Sequence, residues 1–193
     1  MSNEILQSNK KNFLLDKIKK NFKKIVFILS VLLSVLILFF YLDIQKKKAN
    51  LLVSEKFNEA KILIQSKKSE SGKKILIDII KEQNKFYSPL SLYYIIENKL
   101  DTKENILNFF KIIEKINKLD NDNKNLIKIK KALYVSNYND KDMIKILEEV
   151  GKSNSSWSNY AINLIVQYYN QKGQEEKSRK YLNLLNNNIK KKL

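Results

Sequence analysis

The sequence predicts an all-α protein in which one N-terminal transmembrane helix precedes a solenoid of helical hairpins. An uncharged apolar run occupies residues 25–42. The 193 residues include only three glycines and one proline, which disfavours a sheet with many tight turns. After the run, apolar residues recur three and four positions apart, as on the buried face of a helix. We therefore expect a tail at 1–24, an anchor at 25–42 and a helical domain at 47–190.

The lysine-rich tail and the apolar run predict membrane insertion and its direction. The run IVFILSVLLSVLILFFYL contains 18 residues, which as a helix span about 27 Å, close to the thickness of a bilayer core. A cleaved signal peptide has a shorter apolar stretch followed by small residues, and neither feature is present. Its two serines, Ser30 and Ser34, are tolerated because each hydroxyl can bond to a carbonyl one turn earlier. An uncleaved anchor is therefore expected.

Lysine placement predicts which side of the membrane the domain occupies. Residues 10–24 carry seven lysines, whereas residues 43–62 carry five lysines diluted by three acidic residues. By the positive-inside rule the tail stays in the cytoplasm, and the long C-terminal domain crosses the membrane. In a Gram-negative cell this predicts a single-pass inner-membrane protein with a periplasmic domain. The tail is either an amphipathic helix lying on the inner leaflet or a disordered stub.

Turn and cap residues divide the domain into eight expected helices. Asp101, with Glu104 three residues later, resembles a capping-box start, Asn139-Asp140 caps another helix, Gly151 ends a helix and Gly173 makes a turn. Ser88 before Pro89 is the expected N-cap of the third helix, and Ser155 or Ser156 that of the seventh. Residues 120–123 are predicted to form a turn before the fifth helix. The other predicted spans are 49–66, 73–84, 88–99, 103–118, 141–150, 157–172 and 174–187.

The spacing of these turns predicts a repeat architecture. Turns near Asp101, Asn139 and Gly173 are 38 and 34 residues apart, close to the 34-residue period of tetratricopeptide (TPR) repeats. About three such hairpins are needed for a continuous core, and residues 88–118, 121–151 and 155–188 supply three. A TPR-like helical-hairpin solenoid is therefore expected, with an irregular helical bundle as the alternative.

Composition excludes most enzyme templates. The chain has no cysteine and no histidine, which removes thiolate nucleophiles, disulfides, imidazole bases and most metal ligation. The adjacent acidic pairs Glu148-Glu149 and Glu175-Glu176 point to different helix faces, and no glycine-rich nucleotide loop occurs. We expect no catalytic residue, no cofactor and no metal.

The charge of +17 comes almost wholly from lysine, since Arg179 is the single arginine. Nucleic-acid sites favour arginine, so nucleic-acid binding is not expected. The lysine excess is either compositional, in a sequence also rich in asparagine and isoleucine, or an attraction to anionic lipid headgroups.

Four segments in this order, after the lysine tail and anchor, resemble a known family. They read FNEA at 57–60, YSPL at 87–90, SSWSNYA at 155–161 and YNQKG at 169–173. The layout is similar to the YfgM-like ancillary subunits of the SecYEG translocon, grouped with the cell-division coordinator TPR-domain family, and closest to its alphaproteobacterial branch. This resemblance implies protein partners: the Sec translocon, secretory clients or periplasmic chaperones. It carries over no active residue.

Aromatic residues are the candidate partner-binding side chains. Trp157, the single tryptophan, is a possible peptide anchor, because aromatic residues dominate interface energies. Tyr94, Tyr134, Tyr160 and Tyr168 are candidates to line a groove, and packing within the solenoid is the competing interpretation for all five. The sequence thus predicts a membrane-anchored interaction scaffold. The alternative is an envelope scaffold whose lysine-rich surface binds anionic lipid or cell-envelope components.

Overall fold

A computed structural model describes the backbone of residues 2–117 and 119–190, with side chains at 23–24, 26–27, 29–117 and 119–186. This part of the chain forms eight α-helices and no strand, which confirms the all-α class. The proposed amphipathic face of the tail involves side chains outside the described ranges. The helices are α1 (Ser2–Gln65), α2 (Ser69–Lys81), α3 (Tyr87–Glu97), α4 (Lys103–Glu114), α5 (Asn121–Val135), α6 (Asp140–Gly151), α7 (Ser158–Gln171) and α8 (Glu175–Lys190).

The anchor and the first helix of the domain are one continuous helix, α1, so the prediction of a separate helix beginning at Ala49 was wrong. Residues 43–48 contain neither glycine nor proline, and lysine and glutamine favour helix. Lys47 also pairs with Asp43 one turn earlier, at 2.8 Å, which raises the pKa of the lysine. The chain nevertheless separates into two compact units, Met1–Leu52 and Val53–Leu193.

The first unit contains the candidate membrane span. Within Leu29–Gln65 one stretch is long and apolar enough to cross a membrane, and none of that stretch is buried. The helix that forms the core of a water-soluble domain would be mostly buried, whereas Phe40, for example, is 62% exposed. Ser30 and Ser34 donate to the carbonyls of Phe27 and Ser30, at 2.8 and 2.9 Å, as predicted. Their hydroxyls are therefore satisfied within the helix.

The second unit begins with a close approach between the end of α1 and the start of α2. Helix α2 starts four residues earlier than predicted, which places Gly72 inside its first turns instead of in the preceding loop. A Cβ at Gly72 would lie 2.6 Å from the Ala60 carbonyl oxygen and 2.6 Å from Ile64 Cγ1. Glycine here serves helix packing and not turn formation.

The start of α3 corrects the predicted cap. Asn84, not Ser88, accepts the free backbone N–H groups, with its side-chain oxygen 3.0 Å from Phe86 N and 2.9 Å from Tyr87 N. The Ser88 hydroxyl is buried and donates to the Ile79 carbonyl at 2.6 Å. Pro89 consequently lies in the third helical position, not the first. The helix begins before Ser88 because the Asn84 side chain already accepts from the N–H groups of Phe86 and Tyr87.

Local capping signals located most of the later helices correctly. Asn139 caps α6 through Lys141 N and Asp142 N, and Gly173 has a φ of +67° before α8, both as predicted. The cap of α4 is Thr102, which accepts from Asn105 N, and not the predicted Asp101. The predicted turn at 120–123 is instead the cap and first turn of α5, where Asp120 accepts from Asn123 N at 2.7 Å. That bond holds the pKa of Asp120 below its usual range.

Several of the later boundaries differ from the prediction. Helix α4 ends at Glu114, not Lys118, and Gly151 is the last residue of α6 instead of the residue that follows it. Trp157 occupies the N-cap position of α7, and Ser155 supports it by accepting from Trp157 N at 3.2 Å.

Two apolar clusters form the core of the second unit, and α5 contributes to both. The first cluster joins the end of α1 with α2, α3 and α4 and includes Ile127, whereas the second joins α6 and α7 and includes Ile129. Each helix from α2 to α8 contacts the next along the chain, and α2 also contacts α4. The TPR-like arrangement stays a prediction.

Candidate functional site

The strongest candidate site is a groove between α4, α5 and α6, called here the α4–α6 groove. Its cavity measures about 570 Å³, within the range of ligand-binding pockets. Three helical stripes form it, because residues three and four apart share a helix face. The lining residues are Lys103, Leu107, Lys111 and Glu114 from α4, Lys124, Lys128, Lys131 and Val135 from α5, Asp142, Lys145, Ile146 and Glu149 from α6, and Tyr138 and Asn139 between α5 and α6.

The groove carries six lysines and three acidic residues, so its charge is positive. Two of the acids bind lysines of α5 from opposite walls. Glu114 of α4 accepts from Lys131 at 2.9 Å through both carboxylate oxygens, and Glu149 of α6 accepts from Lys128 at 3.1 Å. These ion pairs fix the positions of the Lys128 and Lys131 side chains in the middle of the groove.

The remaining groove lysines leave their charge available. The Lys103 ammonium lies 4.1 Å from the centre of the Tyr138 ring, a cation–π contact that fixes the position of the side chain without neutralising it. Lys124 and Lys145 are exposed and form no ion pair with any other described residue. The groove thus retains uncompensated cationic groups beside the apolar side chains of Leu107, Val135 and Ile146.

Two of the predicted aromatic residues are engaged inside the fold. Tyr94 packs against Phe57 with 6.0 Å between ring centres. Tyr134 packs between Phe110 and Tyr138, at 6.1 and 5.6 Å. Burial, with the neighbouring Tyr138, raises the pKa of Tyr134 to about 12.

The other three candidates lie on or near the second apolar cluster. Trp157 is half-buried against that cluster, and its ring meets Tyr160 at 6.0 Å between centres, while Tyr160 itself is 46% exposed. The Tyr168 hydroxyl donates to Asp140 at 2.7 Å, which lowers the pKa of the carboxyl and raises that of the tyrosine. None of the five predicted residues lines the α4–α6 groove. Their role in partner binding stays a prediction.

The lysine stripe of the groove was missed at the sequence level. Lys124, Lys128 and Lys131 follow the helical spacing of three and four on α5, which is a visible signal. In a chain with 37 basic residues that signal is hidden by composition. It acquires meaning only when α4 and α6 lie on either side of α5.

A second cavity of about 570 Å³ lies between the end of α6, α7 and α8. Its walls include the buried residues Ile162 and Ile165 and the partly exposed residues Tyr181 and Leu184. The Tyr181 hydroxyl donates to Glu148, and burial together with this bond raises the pKa of the tyrosine. Two of the polar side chains that line this cavity therefore bind each other.

No other chemical site emerges from the described residues. Among the described side chains, at 23–24, 26–27, 29–117 and 119–186, no three acidic groups lie close enough to hold a metal ion. Comparison of the chain with models of known families, with curated proteins and with solved structures finds no match in any of the three. The α4–α6 groove and the apolar segment of α1 are therefore the features on which a function is argued.

Proposed function

We propose that this protein is a non-enzymatic, membrane-anchored scaffold whose TPR-like helical domain binds protein partners. The observation that carries the proposal is the α4–α6 groove, in which three consecutive helices present one open cavity with charged and apolar side chains. A TPR-like stacking of hairpins is supported by the contacts of each helix with the next and of α2 with α4. The proposal includes no catalytic residue, cofactor, metal or nucleic acid.

The apolar segment of α1 supports the anchor. Its exposed side chains, which include Leu33, Leu36 and Phe40, would leave a large apolar surface in water, and a bilayer removes that cost. The proposed topology is single-pass in a bacterial inner membrane, with the tail cytoplasmic and the helical domain periplasmic. Anchoring restricts the domain to the membrane surface, which raises its effective concentration near membrane partners.

We further propose that the partners belong to protein secretion: the Sec translocon, secretory clients or periplasmic chaperones. The support is the resemblance in segment order and layout described above, to which the comparisons add nothing. The groove is compatible with this role because it combines features used to bind peptide segments, namely an apolar base and fixed polar groups.

Crosslinking in intact membranes tests the function. The tagged full-length protein is crosslinked, purified under denaturing conditions, and the attached proteins are identified. Translocon subunits, secretory proteins or periplasmic chaperones are expected, relative to an unrelated single-pass protein expressed at the same level. If the crosslinked species contain only lipid or cell-envelope polymer, the alternative scaffold function is correct and the protein-binding proposal is wrong.

Topology is tested separately. Carbonate washing is expected to leave the protein in the membrane, and protease added to spheroplasts is expected to digest the C-terminal domain. Protection of that domain, with digestion of a periplasmic control, would reverse the proposed orientation without affecting the anchor.

A further inference from the structure

We propose that the α4–α6 groove selects an acidic peptide segment, one that carries several carboxylates and at least one apolar side chain. This inference rests on the proposed function and specifies the chemistry of its partner. It is carried by the charge of the groove, by the way the groove binds its own carboxylates, and by its apolar side chains.

The lysines of the groove are arranged differently from the other lysines of the chain. Six lysines from three helices face one cavity, and only three acidic residues accompany them. A cavity lined mostly by one sign of charge, with protein walls of low dielectric constant, concentrates the field and attracts oppositely charged groups. Lysines scattered over a convex surface lack this effect because solvent and salt screen each one.

The two ion pairs of the groove show how a carboxylate is held there. Glu114 accepts from the Lys131 ammonium through both oxygens, and Glu149 accepts from Lys128, so each wall places a carboxylate over the α5 stripe. Lys124 continues the same stripe by one turn, and neither it nor Lys145 on the α6 wall forms an ion pair within the described part of the chain. A carboxylate from another chain would repeat at these lysines the contact that already exists beside them.

The apolar side chains favour a peptide over a purely anionic polymer. Val135 is buried and Leu107 and Ile146 are half-buried, and all three line the cavity between the lysines. Covering Leu107 and Ile146 removes apolar surface from water, which a polyphosphate chain cannot do. Peptide side chains that alternate between acidic and apolar supply both kinds of contact.

Binding of a defined peptide tests this inference. The probe is a fluorescein-labelled 12-residue peptide in which glutamates alternate with serine and leucine, and its control replaces every glutamate by glutamine. Both are titrated with the full-length protein in an uncharged detergent, with fluorescence anisotropy as the readout. The acidic peptide is expected to bind, with an affinity that falls about tenfold or more as salt rises from 50 to 500 mM. The glutamine peptide is not expected to bind.

Matched variants locate the site. Lys124→Gln with Lys145→Gln removes two exposed groove lysines, and Lys74→Gln with Lys85→Gln removes two exposed lysines outside the groove. The net charge is the same in both variants. The groove pair is expected to weaken acidic-peptide binding about tenfold, because one exposed ion pair contributes up to about fivefold, and the control pair is expected to change it less than about twofold.

A second pair of variants changes affinity in the opposite direction. Glu114→Gln with Glu149→Gln releases Lys131 and Lys128 and is expected to tighten acidic-peptide binding several-fold, whereas Glu97→Gln with Glu176→Gln, exposed and outside the groove, is not. Both double variants lose two negative charges, so tighter peptide binding by the groove variant alone could not be explained by net charge.

Three results would overturn the inference: no binding of the acidic peptide, equal losses in the groove and control lysine pairs, or binding of inorganic polyphosphate at least as tight as that of the peptide. Its failure is distinguishable from failure of the proposed function. If crosslinking recovers protein partners while the acidic peptide does not bind, the scaffold function stands and the groove specificity is wrong.

Discussion

Replacing Gly72 by alanine tests the closest helix contact of the second unit. The added Cβ would lie 2.6 Å from the Ala60 carbonyl oxygen, whereas ordinary contacts begin at 3.4 Å, so α1 and α2 must separate by about 0.8 Å at this point. A gap of that size forfeits roughly a quarter to a half of each affected dispersion contact. Overpacking of this kind costs about 1–3 kcal/mol, against a gain of about 0.5–1 kcal/mol for alanine in a helix.

We therefore expect Gly72→Ala to destabilise the domain by about 1–2 kcal/mol, which lowers the unfolding temperature by roughly 5 °C. Gly151→Ala is the milder comparison, because its Cβ would meet a side-chain atom, Ile162 Cγ1 at 2.9 Å, and not a backbone atom. Helicity and Trp157 fluorescence of the full-length protein in detergent follow unfolding. An unchanged or raised transition for Gly72→Ala, or a larger loss for Gly151→Ala, would refute the reasoning.

Three further predictions concern the anchor, a surface hydrogen bond and the second core. Replacing Leu33 and Leu36 by arginine costs about 2.5–3.5 kcal/mol each at the centre of the span, so carbonate should extract the variant; full retention would contradict the anchor. Tyr168→Phe removes the hydrogen bond that lowers the pKa of Asp140. In the wild type this bond stabilises the fold at pH values above the ordinary carboxyl pKa of about 4, and the stabilisation is lost as pH falls through the lower pKa of the folded state. Urea midpoints of wild type and variant should therefore differ at pH 7, and the difference should shrink as pH falls below about 4. A constant gap would count against this. Leu147→Ala empties a fully buried site and should cost about 2–5 kcal/mol by Trp157-monitored unfolding, and a loss under about 1 kcal/mol would show that the site is not tightly packed.

Local chemistry explains which parts of the fold were predictable. Asn139 and Gly173 act within a few residues of themselves, through a side-chain cap and a positive φ, so the sequence shows their effect directly. Ser88 and Gly72 act on neighbouring helices, one by donating to Ile79 and the other by allowing contact with Ala60. Such roles depend on tertiary packing, and both residues were predicted in the wrong structural setting for that reason.

The candidate site was less predictable than the fold because its residues are far apart in sequence. The groove combines Lys103 on α4 with Glu149 on α6, and neither position carries a motif of its own. The tyrosines stood out in the sequence, yet Tyr134 and Tyr94 contact other aromatic rings within the fold. An aromatic residue in the sequence is as consistent with core packing as with partner binding. The groove can be recognised only once the arrangement of α4, α5 and α6 is known.

Site-specific photocrosslinking from the α4–α6 groove tests the central claim most directly. A photoreactive amino acid is placed at Leu107 in the groove, and at Lys74 on α2 as the control, and cells are irradiated intact. Discrete crosslinks to one or a few proteins are expected from position 107, and few or none from position 74. Crosslinks of equal yield and identity from both positions, or none to protein from position 107, would contradict a groove that binds protein partners.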